Sequence, residues 1–284
     1  MSSYSLKIVL HYLLPKRALT IYAGFMANIK IKVIKNRLIR NFIRDYHVNM
    51  DEAIKPMAED YACFNDFFIR HLKPGSRTVM DVDIVSPVDG CISEIGPITA
   101  GKLLQAKGLY YSVNELLACP SALSAQFDSG CFATLYLSPK DYHRVHMPMD
   151  AKLREMIYVP GTLFSVQPRT AKAIPRLFAR NERLVAFFDT SVGLMAMVLV
   201  GATVVGAIGT AWSGDVPRSQ KMKETDYSSN PGMSIVLQKA AEMGYFKLGS
   251  TVALLFADGS RVQWKKDLQA GTTIRFGDAL ADIR

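Results

Sequence analysis

Near the end of this 284-residue chain stands the run Phe246-Lys247-Leu248-Gly249-Ser250-Thr251. Its Gly-Ser bond is one that can be cut from within. Gly249 adds no side-chain bulk around its own carbonyl, and the Ser250 hydroxyl one residue on can attack that carbonyl to form an ester. Elimination of the ester, then hydrolysis, would leave a pyruvoyl group on the new amino terminus. A ketone of that kind does carbonyl chemistry that no side chain does. On this reading the chain is a proenzyme, and Ser250 is the precursor of its cofactor.

Such an attack needs a base. The stretch Asp141-Tyr142-His143-Arg144-Val145-His146 places two histidines three residues apart, directly after a Ser-Pro turn. Imidazole takes and returns protons near neutrality. The same spacing also suits H-x-x-H metal ligation, which needs at least one further ligand. No Cys or His cluster elsewhere completes such a set, so no metal is expected. Ser86-Pro87-Val88-Asp89-Gly90 reads most simply as a hairpin turn between strands. Its functional reading is that Asp89 orients a histidine through Nδ1 and steadies the imidazolium. Gly-Ser pairs usually mean a loop, and each of Asp89, His146 and Ser250 is weak evidence alone. Together they supply orienter, base and nucleophile.

The elements that must position these residues divide the chain. Apolar residues make up 49% of it, enough for one large domain with a smaller appendage. Residues 1–72 read as helices, and Lys73-Pro74-Gly75-Ser76 is a plausible boundary. From 73 to 284 the signals are mostly strands and turns. Strands are expected over Ile84–Val88, Cys91–Ile95, Phe132–Leu137, Leu153–Val159, Leu184–Phe188 and Thr251–Phe256, with short helices over Glu115–Leu117 and Ile235–Met243. The fold class is therefore α+β: N-terminal amphipathic helices, then a β-rich barrel or sandwich-like catalytic domain. The uncharged run from Thr190 to Gly214 is long enough to span a bilayer. Its glycines, valines and threonines fit two buried strands joined by a tight turn better. None of Cys63, Cys91, Cys119 and Cys131 forms a C-x-x-C pair, and free thiols in a reducing cytoplasm are expected.

The net charge of +9 sits at one end. Residues 1–44 hold nine basic residues and no Asp or Glu, and the other 240 are neutral on balance. A basic arm of this kind suits an anionic partner. On a helical wheel Ile31, Ile34, Leu38, Ile39 and Phe42 share one side. Lys30, Arg37, Arg40 and Arg44 share the other, with Lys32 and Lys35 as exceptions. The apolar stretch Leu6 to Leu14 precedes them. This pattern favours a membrane surface over nucleic acid, and each basic residue near an anionic leaflet contributes roughly 1 kcal/mol. The plainer alternative is packing on the domain with a solvated basic face. No secretory signal is evident, and the start is not Ser-rich as a mitochondrial transit peptide would be.

At this point the chain resembles the bacterial phosphatidylserine decarboxylase proenzymes. The likeness is carried by Phe64-Asn65-Asp66-Phe67-Phe68-Ile69-Arg70, Ser86 to Gly90, Leu104-Gln105-Ala106-Lys107-Gly108, and Tyr136 through Pro148. It continues with Tyr158-Val159-Pro160-Gly161, Leu177 to Arg183, and Gly244 to Thr251. The D-Y-H-R-V-H-M-P and L-G-S-T stretches are highly specific as a pair. The resemblance implies a self-cleavage triad of Asp89, His146 and Ser250, and products of residues 1–249 and 250–284 that stay associated as a two-chain unit. It implies a pyruvoyl cofactor on residue 250 that forms a Schiff base with phosphatidylserine, with His143 or His146 returning a proton to carbon. His143 contacting the lipid phosphate is the alternative. No metal or diffusible cofactor is implied, nor any nucleic acid. The expected place is the cytoplasmic face of the cell membrane, held peripherally, with phosphatidylserine and anionic lipid as partners. Two rivals remain at this level: a serine hydrolase, which lacks G-x-S-x-G here, and a non-enzymatic membrane-bound β-domain.

Overall fold

In the computed structural model, which describes residues 16–106, 108–203, 207–229, 232, 234–247 and 249–284, two helices come first. They are α1 (Lys16–Ala27) and α2 (Lys32–Tyr46). The Leu6–Leu14 stretch, Lys107 and Leu248 lie outside the described residues. α2 ends where His47 turns left-handed at φ 53° and its N–H bonds the Ile43 carbonyl. A short α3 (Phe64–Phe68) follows. Ile39 of α2 is fully buried among Phe64, Phe67 and Phe68, with Leu38 and Phe42 half-buried beside it. Phe42 meets those three rings edge-on at 5.1, 5.9 and 5.9 Å.

The apolar side of α2 is thus divided. Its second half packs on protein, whereas Ile31 and Ile34 stay exposed. Lys35 is buried, not solvated, because its ammonium donates to the carbonyls of Ala58 and Glu59.

Strands then dominate. They are β1 (Ile84–Val85), β2 (Gly90–Pro97), β3 (Lys102–Ala106), β4 (Leu109–Ser112), β5 (Cys131–Leu137) and β6 (Arg144–His146). Next come β7 (Ala151–Val159), β8 (Arg183–Thr190), β9 (Gly193–Gly201), β10 (Ala207–Thr210), β11 (Gly214–Asp215) and β12 (Lys223–Asp226). The last are β13 (Val236–Leu237), β14 (Glu242–Lys247), β15 (Ser250–Phe256), β16 (Val262–Trp264), β17 (Thr273–Ile274) and β18 (Ala279–Ile283).

The largest sheet runs β12-β7-β8-β9-β15-β5-β2-β17, with β13 also on β7. Every residue of β15 is buried. Val252, Leu254 and Phe256 face one apolar cluster, and Ala253 and Leu255 face the other. A strand covered on both faces needs no polar alternation, which is why 252–256 reads as an unbroken apolar run. None of the sheets among the described residues closes on itself, so the barrel alternative is not realised.

Three local expectations differ from the structure. Ile235–Met243 is not a helix. Val236–Leu237 pairs with β7, Ala240 takes φ 68°, and Glu242 begins β14. Strand pairing overrides the helix-forming Gln, Lys and Ala residues there. Asp89-Gly90 is no hairpin: β1 pairs with β18, so these residues carry the chain from one sheet to another. The described parts of the Thr190–Gly214 run are strands as expected, but β9 and β10 belong to different sheets. The helix expected at Glu115–Leu117 is present as α4 (Val113–Leu117), with reciprocal capping between Ser112 and Glu115.

Candidate active site

The Gly249–Ser250 bond lies where a left-handed residue enters a fully paired strand. Gly249 has φ +42°, a conformation that costs glycine nothing and other residues more. Ser250 opens β15 and is held from both sides, opposite Leu137 of β5 and Gly201 of β9. Its side chain is fully buried, and its Oγ has no hydrogen-bond partner among the described residues. A buried hydroxyl without a partner is costly, and it marks a strained or functional position.

The same cross-strand row brings Asp89 near. Ser250 lies opposite Leu137, and Cys91 opposite Tyr136, which puts Gly90 beside Leu137. Two strand spacings then separate Gly90 from Ser250, about 10 Å. Gly90 must be glycine, because a Cβ there would lie 2.3 Å from the Tyr136 carbonyl oxygen.

The loop after β5 carries the histidines. Asp141 caps it, accepting from the Ser138 N–H at 2.7 Å. His143 is fully buried, packs its ring 4.2 Å from that of Phe68, and sets Nδ1 2.8 Å from the Asp141 carbonyl. Burial pushes its pKa down to about 3, so it is neutral at physiological pH. Its Nε2 is buried with no partner among the described residues.

His146 sits on β6 with Nδ1 2.8 Å from the Ala240 carbonyl and Nε2 3.0 Å from the Tyr142 hydroxyl. The Phe276 ring stacks over it at 3.8 Å and 14°. A carbonyl only accepts, so Nδ1 carries the hydrogen and Nε2 keeps the basic lone pair. Burial, the largest influence, lowers the pKa of His146 below its usual 6.5 and keeps it neutral.

Asp89 does not orient His146 directly, contrary to the sequence expectation. Its carboxylate accepts from Arg77 Nε at 3.1 Å and from the Phe276 N–H at 2.8 Å. Arg77 also pairs with Glu52 at 2.8 Å. Asp89 therefore reaches His146 through Phe276: it holds that residue's backbone, and the ring lies on the imidazole. The His146 N–H further bonds the Pro87 carbonyl at 2.9 Å.

Asp89 and Ser250 thus stand at the ends of strands two apart in the main sheet, while His143 lies in the loop after β5 and His146 on β6 of the neighbouring four-stranded sheet. The structure does not link Asp89, His146 and Ser250 by hydrogen bonds to one another. The residues that sequence reasoning left without a role are Tyr142, Arg77, Phe276 and the Ala240 carbonyl. Tyr142 was findable: an even separation from His146 puts the two on one side of an extended segment, and the odd separation of His143 turns it away.

No group of His, Cys, Asp and Glu suited to a metal ion occurs among the described residues. The group the site does fit is one made from Ser250 itself, a buried and unpartnered hydroxyl beside an unhindered carbonyl.

Comparison with known proteins agrees in extent and kind. A family model described as phosphatidylserine decarboxylase matches residues 64–282, and a second, described only as PSD, matches residues 6–47. A "phosphatidylserine decarboxylase proenzyme" of Legionella pneumophila is 59% identical over 278 residues, covering 98% of each chain. Proteins of the same name from Aliivibrio fischeri and a Polaromonas species are 52% and 49% identical, each covering 99% of both chains.

Proposed function

This chain belongs to the phosphatidylserine decarboxylase family, and from that premise we propose that it cuts itself at Gly249-Ser250 and uses the resulting pyruvoyl group to convert phosphatidylserine to phosphatidylethanolamine. It is an enzyme, and its reaction is the decarboxylation of phosphatidylserine. One observation carries the self-processing reading: the Ser250 hydroxyl is buried without a partner, directly after a left-handed glycine and at the start of a strand held on both sides.

The chemistry follows from the residues in place. His146 takes the Ser250 proton, with the Tyr142 hydroxyl on its Nε2 as the relay. The oxygen adds to the Gly249 carbonyl carbon, and the amide nitrogen leaves protonated, giving an ester. Removal of the Ser250 Cα proton expels the Gly249 carboxylate. Addition of water and loss of ammonia leave the ketone on residue 250. Arg77 and Asp89 hold Phe276, and so the His146 ring, in place throughout. The paired β15 keeps residues 250–284 bound after the cut.

A ketone on residue 250 would supply the electron sink that decarboxylation of an amine-linked substrate requires. For this the substrate ammonium must first lose a proton. The Nε2 of His143, buried with no hydrogen-bond partner among the described residues, is then the group available to carry the proton returned to the substrate carbon. Intact-mass measurement tests the reading. The purified protein should consist of two pieces, not one of 31.5 kDa, with the smaller lighter than peptide 250–284 by the elements of ammonia. An active protein made of one uncut chain would refute it.

The helices fit a lipid surface. Ile21, Tyr22, Phe25, Ile31 and Val33 are 62–78% exposed, and Lys30, Lys32, Arg37, Arg40 and Arg44 are exposed near them. No helix among the described residues is long and apolar enough to cross a membrane. The enzyme therefore rests on the anionic cytoplasmic surface that holds its substrate. Ile21→Glu with Phe25→Glu should weaken sedimentation with anionic vesicles at least about tenfold, since each apolar side chain buried contributes roughly 1.5–3 kcal/mol. Self-cleavage should continue. Unchanged vesicle binding would locate the lipid contact elsewhere.

A further inference from the structure

Two arginines are almost fully buried and are treated very differently by the fold. Arg183, 3% exposed, has every guanidinium nitrogen satisfied. Nε donates to Leu116, Nη1 to Ala179 and Asn181, and Nη2 to Glu115, all backbone carbonyls. This is what a structural buried cation requires. Arg70, 4% exposed, has only its Nη2 engaged, with the carbonyls of Lys140 at 3.0 Å and Asp141 at 3.4 Å. Its Nε and Nη1 are buried with no hydrogen-bond partner among the described residues. No carboxylate among the described residues is within ion-pairing distance of it. The Phe67 ring at 5.5 Å covers one side.

The place is not arbitrary. Arg70 stands in the wall between two clefts. One also contains Arg77, Asp89, Tyr142 and Arg275, and the other Lys55 and Arg144. Arg77 is committed to Asp89 and Glu52, and Arg144 to Glu242. Arg70 is therefore the buried guanidinium with donors to spare beside the histidine loop, whereas Arg275 in the same cleft is largely exposed and faces Glu52 at 3.8 Å. The Asp141 carbonyl that accepts from it also meets His143 Nδ1.

We propose that Arg70 anchors the phosphate of the substrate headgroup, whose anionic oxygens accept from its Nε–H and Nη1–H. The proposal rests on the decarboxylase reading. In a serine phosphodiester the phosphorus is four bonds from the amine, so phosphate and reacting amine lie within roughly 5 Å of each other. An anchor for the phosphate must then lie near residue 250, and Arg70 binds the carbonyls just before His143, whose own carbonyl accepts from the Phe246 N–H on the strand leading to Gly249-Ser250.

The test compares two substrates. Arg70→Met should lower kcat/KM for phosphatidylserine, relative to that for O-ethylserine, which lacks the phosphate but keeps the free amine and carboxylate, by about 100-fold, the value of a charged hydrogen bond or two. Arg70→Lys should recover part of the ratio. Equal losses on both substrates would mean that Arg70 only supports the loop, and would overturn the proposal. Should Arg70→Met fail to fold, the Arg70→Lys ratio decides in the same way. A second arm needs no turnover. In the uncut Ser250→Ala chain, calorimetry with glycerophosphoserine and with inorganic phosphate should show binding that Arg70→Met abolishes. Tighter binding of glycerophosphoserine identifies the headgroup as the ligand, and equal binding of inorganic phosphate identifies a free-phosphate site on the same donors. No binding of either, or binding that Arg70→Met leaves unchanged, overturns the proposal. This arm reads even if the chain proves not to cut itself.

Discussion

Ser250→Ala should leave one intact chain of 31.5 kDa with no decarboxylase activity. The substitution removes the oxygen that attacks Gly249, so neither ester nor ketone can form. The loss should be on the order of 10⁴-fold or greater, comparable to removing a covalent nucleophile. The variant should fold as well as the parent. The Ser250 Oγ makes no hydrogen bond among the described residues, so alanine there breaks none of them and removes an unsatisfied polar atom. The uncut protein should therefore melt at or slightly above the temperature of an uncut wild-type precursor. Two results would sink the assignment: fragments of the expected masses from the alanine variant, or full activity in its uncut chain. Hydroxylamine, which traps ketones, should inactivate the mature wild-type protein and find nothing to react with in the variant.

His146→Ala should slow self-cleavage by roughly 10²–10⁴-fold, the usual contribution of a general base. Tyr142→Phe should cost less, because it removes the hydroxyl at Nε2 but leaves the imidazole. A pH profile separates this role from mere support. Burial lowers the His146 pKa below 6.5, so the neutral, basic form is already present at pH 7. Cleavage of freshly refolded precursor should be flat above 6.5. It should fall as pH drops through the lowered pKa of His146, where the base becomes protonated. A rate that rises in acid, or an acid limb that is unchanged in His146→Ala, would exclude His146 as the base. Stability should follow the same sign. His143, held neutral in the fold with a pKa near 3, binds a proton more readily when unfolded. The folded state therefore loses stability progressively as pH falls below 6.5.

Asp89→Asn offers a useful contrast to both. Asp89 touches Arg77 and the Phe276 N–H, not the imidazole. A change there acts on how Phe276 covers His146, and leaves Arg77 buried with Glu52 as its remaining ion-pair partner.

Much of this protein could be read from residue order. Ser250, its unhindered neighbour Gly249, the two histidines and Asp89 are chemical identities, and chemistry of that kind does not depend on knowing coordinates. The strand over 251–256 was legible because Thr251 opens a five-residue apolar run, 252–256, bounded by turn residues, which has few other fates. The concentration of positive charge in residues 1–44 was likewise plain, being a property of composition. What order alone left undecided is which groups meet. The Ile235–Met243 segment has helix-forming residues, yet it becomes two strands around the left-handed Ala240, whose carbonyl fixes the His146 tautomer. Asp89, suited by type to pair with imidazole, is taken instead by Arg77. Arg70 looks like any surface arginine in sequence, and only the structure shows it buried with Nε and Nη1 unpartnered among the described residues. Local sequence determines which chemistry is available, since a side chain carries its functional group wherever it goes. Contacts between residues far apart in the chain are settled by sheet register and by which buried polar groups find partners, and these are properties of the whole fold.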